Sequence, residues 1–243
     1  MKELHLFYAP DVETTGMLPP EESAHAVRVL RMHEGDPICV VDGRGTTFSC
    51  VIAAASPRGC LLSIEKRCPE PPRPGGGVHL AVAPTKSMER MEWLAEKATE
   101  IGIDSLTFLA TANTERRVVK AERVEKIVVG AMKQSHKARL PHVEGIVPFD
   151  AFVQRPFQGR RFIAHCYGPE LDGPAGKPFL ADVLAPGSDA LVMVGPEGDF
   201  TPDEVRRAMA AGFIPVSLSD SRLRTETAAL VAVHLMGLAG RGK

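Results

Sequence analysis

The alternation of strand-like and helix-like segments after residue 77 is the feature that most constrains the fold of this chain. The short apolar runs "VHLAVA", "DSLTFLA", "RFIAHCY", "DALVMVG" and "IPVSLS" alternate with amphipathic segments such as "SMERMEWLAEKATEIG" and "TPDEVRRAMAAG". This alternation is typical of parallel strands that helices cover on both faces. The sequence therefore predicts an α/β domain built on a parallel sheet.

A segment rich in proline and glycine, "CPEPPRPGGG" from Cys68 to Gly77, precedes this domain. Neither a helix nor a strand continues through such a composition. Its three glycines come before a strand, whereas the glycines of a phosphate-binding loop follow one. We therefore predict a linker, with one domain over residues 1–73 and a second over residues 74–243.

The residues before the linker predict a small β-rich domain. "PICVVDGRGTTFSCVIAAASPRGCLLSIEKR" reads as three strands that are separated by the turns "DGRG" and "SPRG". One helix is expected over "PPEESAHAVRVLRM", with Ala24, Val27 and Leu30 facing inward and with Arg28 and Arg31 near its end.

Composition favours a soluble protein of the cytoplasm. The five cysteines are odd in number and form no CxxC pair, which favours neither a disulfide framework nor a zinc site. The start of the chain lacks the apolar core of a signal peptide, and no uncharged apolar run approaches the length of a membrane span. We predict no metal, because His and carboxylate residues do not cluster in a ligand pattern. The nucleotide motifs GxGxxG and GxxxxGK[ST] and the acyl-transfer motif GxSxG are missing as well.

Two loops in the C-terminal third carry unusual residues. In "VGPEGDFTPDEV", Thr201, Pro202 and Glu204 predict a helix start with a hydroxyl cap, a proline in the first turn and a capping glutamate. Capping does not account for the preceding GPEG. Two glycines beside a proline are compatible with an ordinary turn, and they also allow a flat ligand to approach the backbone closely.

The second loop is "LSDSRLRTETAAL", which runs from a strand end into an apolar helix. We expect Thr225 to cap that helix and Glu226 to lie favourably in its first turn. This account leaves Arg222, Arg224 and the Ser219 to Ser221 run unexplained. So many polar side chains in one loop indicate a polar ligand.

The helix "AALVAVHLMGLAG" is apolar on all sides. Such a helix is not expected on the surface of a monomer, so a second subunit is predicted to cover it and the protein to form a homodimer. We interpret His234 within it as a core histidine in preference to a catalytic one. A basic stretch over residues 116–139 is either a solvated helix face or a surface for phosphates, and the residues do not decide between the two.

Several motifs together resemble the RsmE family of ribosomal RNA methyltransferases, in the SPOUT superfamily. The GPEG loop and "LRTETA" resemble the two most specific motifs, and "HAVRVLRMHEGD", "KSMERMEWLAEKATEIG" and "AMKQSH" resemble family segments across the rest of the chain. The resemblance implies a PUA-like β-barrel before an α/β domain with a trefoil knot. It also implies S-adenosyl-L-methionine as cofactor and methylation at N3 of a uridine in 16S rRNA of the small ribosomal subunit.

The resemblance also implies roles for individual residues. Arg224 and Glu226 are the catalytic candidates, with Glu226 as a base for the N3 proton or, equally, as a helix-capping residue. The residues expected to bind the cofactor are Gly195, Glu197, Gly198, Leu218, Ser219, Leu223 and Thr225. Those expected to bind RNA are Arg28, Arg31, Lys86, Arg90, Arg116 and Arg117.

The sequence departs from the family pattern at two places near the expected pocket. Asp199 stands where the family often has a second glycine, and "SDSR" replaces the more usual Gly-Pro-Arg after Leu218. Two alternative functions stay open at this point. One is a ribosome-assembly factor that binds RNA without catalysis, and the other is a methyltransferase for a different base or for a ribose hydroxyl.

Overall fold

The chain folds as two units, and neither is contiguous in sequence. The computed structural model describes residues 4–71, 76–172 and 176–240. One unit comprises residues 4–71 and Val129–Leu140, and the other comprises 76–128, 141–172 and 176–240. The predicted boundary between residues 73 and 74 lies outside the described residues. Val129–Leu140, which the sequence analysis placed in the second domain, groups with the first unit.

A four-stranded sheet with the order β1-β2-β3-β4 forms the centre of the first unit. The first pair is parallel and the other two are antiparallel. In β3, every second residue from Thr46 to Ile52 is buried, which is the alternation of a strand that packs on one face. The predicted small β-rich domain is confirmed. Its strands are β1 (Leu6–Tyr8), β2 (Pro37–Val41), β3 (Thr46–Ala54) and β4 (Leu61–Pro69).

The N-terminal helix is more irregular than predicted. After a short α1 (Val12–Thr15), α2 (Pro20–Ala24) continues as a π-helical turn over His25–Val29. The Leu30 amide donates to the His25 carbonyl at 3.1 Å, five residues back. A π turn breaks the 3.6-residue spacing on which the prediction depended. Ser23 and Ala26 are the fully buried residues, Val27 and Leu30 pack partly against the core, and Ala24 is only half-buried and lies outside the core cluster.

Residues 136–140 pair with the turn between β2 and β3. The Gly45 amide donates to the Ala138 carbonyl at 3.0 Å, and the Leu140 amide donates to the Gly43 carbonyl at 2.8 Å. The Arg139 guanidinium lies against Gly45, where a Cβ would come within 2.6 Å of the Arg139 Cζ. Gly45 has φ +100°, and this left-handed backbone is the reason that the turn requires glycine.

The second unit contains a six-stranded sheet with the order β10-β8-β9-β5-β6-β7, and every pair in it is parallel. All five residues of β9 are buried, as expected for a strand that is covered on both faces. The predicted α/β domain with a parallel sheet is confirmed. The trefoil knot stays a prediction. The strands are β5 (Val78–Val82), β6 (Ser105–Ala110), β7 (His142–Pro148), β8 (Arg160–Ala164), β9 (Ala190–Val194) and β10 (Ile214–Val216).

The helices of this unit include both predicted and unpredicted elements. The start of α8 is confirmed, because the Thr201 hydroxyl accepts from the Glu204 amide at 3.2 Å and the Glu204 carboxylate accepts from the Thr201 amide at 2.8 Å. The sequence analysis missed β7, whose residues include a polar glutamate and a glycine, and helices too short to show a period. The helices are α3 (Met88–Ile101), α4 (Ala121–Gln134), α5 (Phe149–Val153), α6 (Pro169–Asp172), α7 (Leu180–Val183), α8 (Pro202–Ala210) and α9 (Thr225–Ala239). The residues of α4 from Val129 onward belong to the first unit.

Helix α9 is buried on one face only. Ala229, Ala232 and Val233 are fully buried, whereas His234 and Leu238 are exposed, Leu238 to 49 %. The prediction that His234 is a core histidine is therefore wrong, because α3 and β5 cover the opposite side of the helix. The predicted homodimer stays a prediction. Within the described residues, no helix combines the length and the apolar character that crossing a membrane requires.

Candidate active site

A cavity of about 880 Å³ opens at the carboxyl ends of β8, β9 and β10. This edge of a parallel sheet is where ligands bind in α/β proteins, and the volume suits a small molecule. The two loops that the sequence analysis singled out therefore meet in one cavity. Its lining consists of residues 164–166, 194–197 and 216–226 together with Arg90, Lys177, Asp199 and Ala228.

The GPEG loop after β9 contributes both lining and supporting residues. Gly195 lines the cavity, and a Cβ at this position would lie 3.1 Å from the Phe200 amide nitrogen. Glu197 also lines it, while its Oε1 accepts a hydrogen bond from the Lys86 amide at 3.2 Å. Gly198, predicted to bind the cofactor, is not among the lining residues. A Cβ at Gly198 would instead meet the Cβ of Asn113 at 3.2 Å.

The loop after β6 holds the GPEG loop in place. The Asn113 side chain donates to the Gly198 and Asp199 carbonyls, both at 3.0 Å. The buried Glu204 carboxylate accepts from the Ala112 amide at 2.8 Å in addition to closing the capping box. Asn113 was not predicted from the sequence. The signal available was a polar side chain directly after a strand, at the edge where the other functional loops lie.

Asp199 adopts a left-handed backbone conformation, with φ +61°. Its Oδ2 accepts from the Cys166 amide at 2.8 Å, and its Oδ1 accepts from the Phe200 amide at 2.7 Å. The side chain thus ties the β9 loop to the end of β8. The departure from the family pattern at this position creates contacts that a glycine cannot make.

The loop after β10 uses its hydroxyl groups to fix its own shape. The Ser217 hydroxyl donates to the Ser219 carbonyl at 3.0 Å, and the Ser219 hydroxyl accepts from the Ser221 amide at 3.2 Å. Leu218 and Leu223 are half-buried in the cavity wall. The serines that the sequence analysis could not explain are therefore structural in part.

The start of α9 brings Glu226 into the cavity wall. The cap residue of α9 is Arg224, which makes no side-chain capping bond, and Thr225 is already helical. The predicted hydroxyl cap by Thr225 is wrong, because the helix begins one residue earlier than that cap requires. Glu226 is buried, and its Oε1 lies 3.3 Å from Nη1 of Arg90. Its Oε2 is buried and has no hydrogen-bond partner among the described residues.

A buried charged group that the sequence analysis missed supports the wall at the end of β8. The Asp172 carboxylate lies 3.3 Å from Nε2 of His165 and 2.9 Å from Nζ of Lys177. Burial is the main cause that lowers the pKa of His165, and the neighbouring Lys177 lowers it further. Asp172 has the opposite effect. The imidazole is therefore neutral near pH 7. Burial, and then Asp199, raise the pKa of the neighbouring Cys166 thiol, which disfavours a nucleophilic thiolate.

The residues predicted to bind RNA are divided between the units. Arg28 and Arg31 are exposed on the first unit, and Arg31 has φ +56°. On the second unit, the Arg116 guanidinium donates to the Lys86 carbonyl at 2.7 and 3.0 Å. Arg90 lines the cavity.

Other members of the basic stretch over residues 116–139 also make internal contacts. Arg117 donates to the Ala112 carbonyl at 3.4 Å. Arg123 pairs with Glu92, with 2.6 Å between Nε and the carboxylate. Part of the positive charge of this stretch therefore serves the fold.

Comparison with known families defines the class of the protein. A sequence model described as an RNA methyltransferase domain matches residues 72–237, which is more than half of the chain. A second, described as an RNA methyltransferase PUA domain, matches residues 18–65. The fold and the cavity thus belong to an RNA methyltransferase.

Individual relatives narrow the assignment. Ribosomal RNA small subunit methyltransferase E of Mycobacterium tuberculosis is 34 % identical over 96 % of this chain and 91 % of the relative. A "probable rRNA-methyltransferase" from Porphyromonas gingivalis has a crystal structure with a TM-score of 0.87, 42 % identity and coverage of 97 % of this chain and 98 % of that one. Ribosomal RNA small subunit methyltransferase E of Neisseria gonorrhoeae, bound to S-adenosyl methionine, gives a TM-score of 0.83 at 25 % identity, with 98 % of each chain covered. This chain belongs to the ribosomal RNA small subunit methyltransferase E (RsmE) family.

Proposed function

We propose that this protein transfers a methyl group from S-adenosyl-L-methionine to N3 of a uridine in 16S rRNA of the small ribosomal subunit. The observation that carries the proposal is the convergence of the GPEG and LRTETA loops on one cavity at the carboxyl edge of the sheet. The relative from Neisseria gonorrhoeae was solved with the same donor bound.

The residues around the cavity fit a sulfonium donor. Val194, Pro196, Val216 and Leu218 give the lining an apolar portion that suits an adenine ring. Carboxylates on the same lining suit the positive charges of the donor. One of them, Glu226, has a buried oxygen with no hydrogen-bond partner among the described residues, which is the kind of group that a ligand satisfies.

We assign the donor contacts to the residues that line the cavity. These are Gly195, Glu197, Leu218, Ser219, Leu223 and Thr225. Gly198 has a supporting role in this proposal, because it packs on Asn113 outside the lining. When bound, the donor supplies a methyl carbon that its sulfonium already activates for transfer. The chain then needs to hold the uracil N3 in line with that carbon, and alignment alone accounts for a large part of such a rate.

The chain must also accept the proton that leaves N3. Glu226 is the carboxylate in the wall at the start of α9, and Arg90 holds it through their 3.3 Å ion pair. In this proposal Glu226 is the general base, and Arg90 positions it. Arg224 is exposed at the cavity mouth, where it can contact the uracil carbonyls or the adjacent phosphate.

Phosphate contacts are assigned to Lys86 and four arginines, of which Arg116 is half-buried and the others are exposed. Arg28 and Arg31 of the first unit contact phosphates in this proposal, and Lys86, Arg116 and Arg117 do the same from the second unit. Because Arg90 lines the cavity, its contact is with the target nucleotide. The N3 edge is paired in duplex RNA, so the uridine must be unpaired or turned outward to enter.

We further propose a homodimer that acts in the cytoplasm on the small subunit or its RNA. The support for a dimer is the uncovered face of α9, where Val231 is half-buried, His234 and Leu238 are exposed, and Trp93 of α3 is 43 % exposed. Apolar surface of this kind is typical of a subunit contact.

Methyl transfer to small subunits from a strain that lacks its own enzyme of this family tests the proposal. Arg224→Ala is expected to reduce transfer at least about a hundredfold, because the residue contacts the reacting nucleotide. Arg206→Ala is the matched control, since Arg206 is exposed on α8 and pairs with Asp203 away from the cavity. Equal transfer by both variants contradicts the site. RNA binding without donor uptake in calorimetry supports a non-catalytic assembly factor instead.

A further inference from the structure

Asp199 holds a backbone conformation that L-residues rarely adopt. Its φ of +61° lies in the left-handed region, where glycine is the default and where Asp and Asn are among the tolerated exceptions. The conformation is closed by a hydrogen bond from the Asp199 amide to the Pro196 carbonyl at 2.9 Å. An aspartate here requires compensating contacts from its side chain.

Those contacts fix the carboxylate in one orientation. Oδ2 accepts from the Cys166 amide at 2.8 Å, and Oδ1 accepts from the Phe200 amide at 2.7 Å. Asn113 holds the carbonyl of the same residue from the other side at 3.0 Å. The carboxylate is therefore a preorganised negative charge in the cavity wall, with lone pairs left for a ligand.

This charge differs from the other charges of the cavity lining. Arg90 is paired with Glu226, and Lys177 is paired with Asp172. The remaining charged side chains of the lining, apart from Asp199, are exposed to solvent, which screens them. Asp199 is half-buried, and no cation lies within 4 Å of it in the part of the chain that the structure describes. A half-buried carboxylate without an ion pair favours a cationic ligand.

We propose that Asp199 is a specificity-determining residue, whose fixed carboxylate favours the sulfonium donor over the product S-adenosylhomocysteine. The inference rests on the proposed function, because it requires the donor in this cavity. Donor and product share the adenosine, the ammonium and the carboxylate. They differ by one methyl group and one positive charge, so an anion in the wall discriminates between them. Release of the neutral product is then easier than release of the donor.

Calorimetric titration with S-adenosylmethionine and with S-adenosylhomocysteine measures this preference directly. Asp199→Asn keeps the size, tolerates the left-handed backbone and removes the charge, while its single amide oxygen can keep the bond from either the Cys166 amide or the Phe200 amide but not both. We expect it to reduce the ratio of the two affinities by about tenfold, equivalent to about 1.4 kcal/mol. Asp199→Gly is expected to reduce the ratio equally and also to weaken both ligands, because the loop loses its tie to Cys166. Asp203→Asn removes an exposed charge on α8 and should leave the ratio unchanged.

The outcomes separate this inference from the proposed function. A wild-type protein that binds neither ligand contradicts the donor site itself. A wild-type protein that binds both, with the affinity ratio unchanged in the Asn and Gly variants, overturns the role of Asp199. Equal weakening of both ligands in the Asn variant also overturns it, because Asp199 would then only position the loop. Should the Asn variant not fold, the Gly variant supplies the same ratio.

Discussion

Nη1 of Arg90 lies 3.3 Å from Oε1 of Glu226, in the wall of the cavity where the GPEG and LRTETA loops meet. One residue comes from α3 and the other from the start of α9, which are more than a hundred residues apart in sequence. In the proposed mechanism, both residues act at the target uracil. The contact places Arg90 next to Glu226, the proposed general base. Arg90 was expected to bind RNA, and positioning Glu226 is an additional role.

Replacement of Glu226 by glutamine tests that role. The change keeps the size of the side chain and removes its basicity, so we expect kcat to fall by about a hundredfold or more at pH 7. Single-turnover methyl transfer across a pH series measures it. If kcat stays within about threefold of the wild type, Glu226 serves only the first turn of α9.

Gly195→Ala is expected to weaken donor binding by about tenfold or more. The added Cβ would lie 3.1 Å from the Phe200 amide and 3.2 Å from the Asp199 backbone carbon, so the loop that lines the cavity must shift. Gly130→Ala in α4 is the control. Apart from the helix's own backbone, no atom of the described residues lies within 4 Å of its added Cβ, and alanine favours a helix by about 1 kcal/mol over glycine. Equal donor affinity in the two variants would show that the loop tolerates the shift.

Glu204→Ala is expected to lower the free energy of unfolding by about 2–4 kcal/mol. The buried carboxylate accepts hydrogen bonds from two amides, Thr201 and Ala112, and both lose their partner. Thr201→Ala removes only one contribution to the capping box and should cost about 1 kcal/mol. Urea unfolding measures the free energy of unfolding of the two variants. A loss of stability in Glu204→Ala that is no larger than the loss in Thr201→Ala contradicts the prediction.

The ion pair of Glu144 with Arg155 predicts a pH dependence. Hydrogen bonds from Arg155, at 2.7 and 3.0 Å, lower the pKa of Glu144 below its ordinary value of about 4.5. A lowered pKa in the folded state stabilises the protein above the unfolded pKa, and this contribution is lost as the pH falls through the folded value. The stability difference between the wild type and Glu144→Gln should therefore be constant near neutral pH and shrink in acid. A stability difference that grows in acid contradicts the prediction.

Much of the fold could be predicted from local patterns. The apolar run of β9, the capping box at Thr201 and the turns around β3 each depend on neighbouring residues, and the structure confirms them. The π-helical turn over His25–Val29 breaks the helical period, so the buried residue there could not be read from spacing. His234 lies on the face of α9 that no other element of the described chain covers, which an all-apolar sequence does not reveal.

The loops that form the site could be predicted from the sequence, but the contacts between their side chains could not. GPEG and LRTETA have recognisable motifs, and both line the cavity. The pairing of Arg90 with Glu226 and the anchoring of Gly198 by Asn113 join residues far apart in sequence. Such contacts follow from the strand order and have no local signal. Asp172 and Lys177, on opposite sides of residues 173–175, were missed for the same reason.

The most direct test uses small ribosomal subunits from a strain that lacks its own enzyme of this family. These subunits are incubated with the pure protein and with a donor whose methyl group is deuterated. Mass spectrometry of the nucleosides then identifies what has received the label. We expect deuterated N3-methyluridine from 16S rRNA with the wild type and almost none with Arg224→Ala. Label on another base or on a ribose, or no label at all, would contradict it.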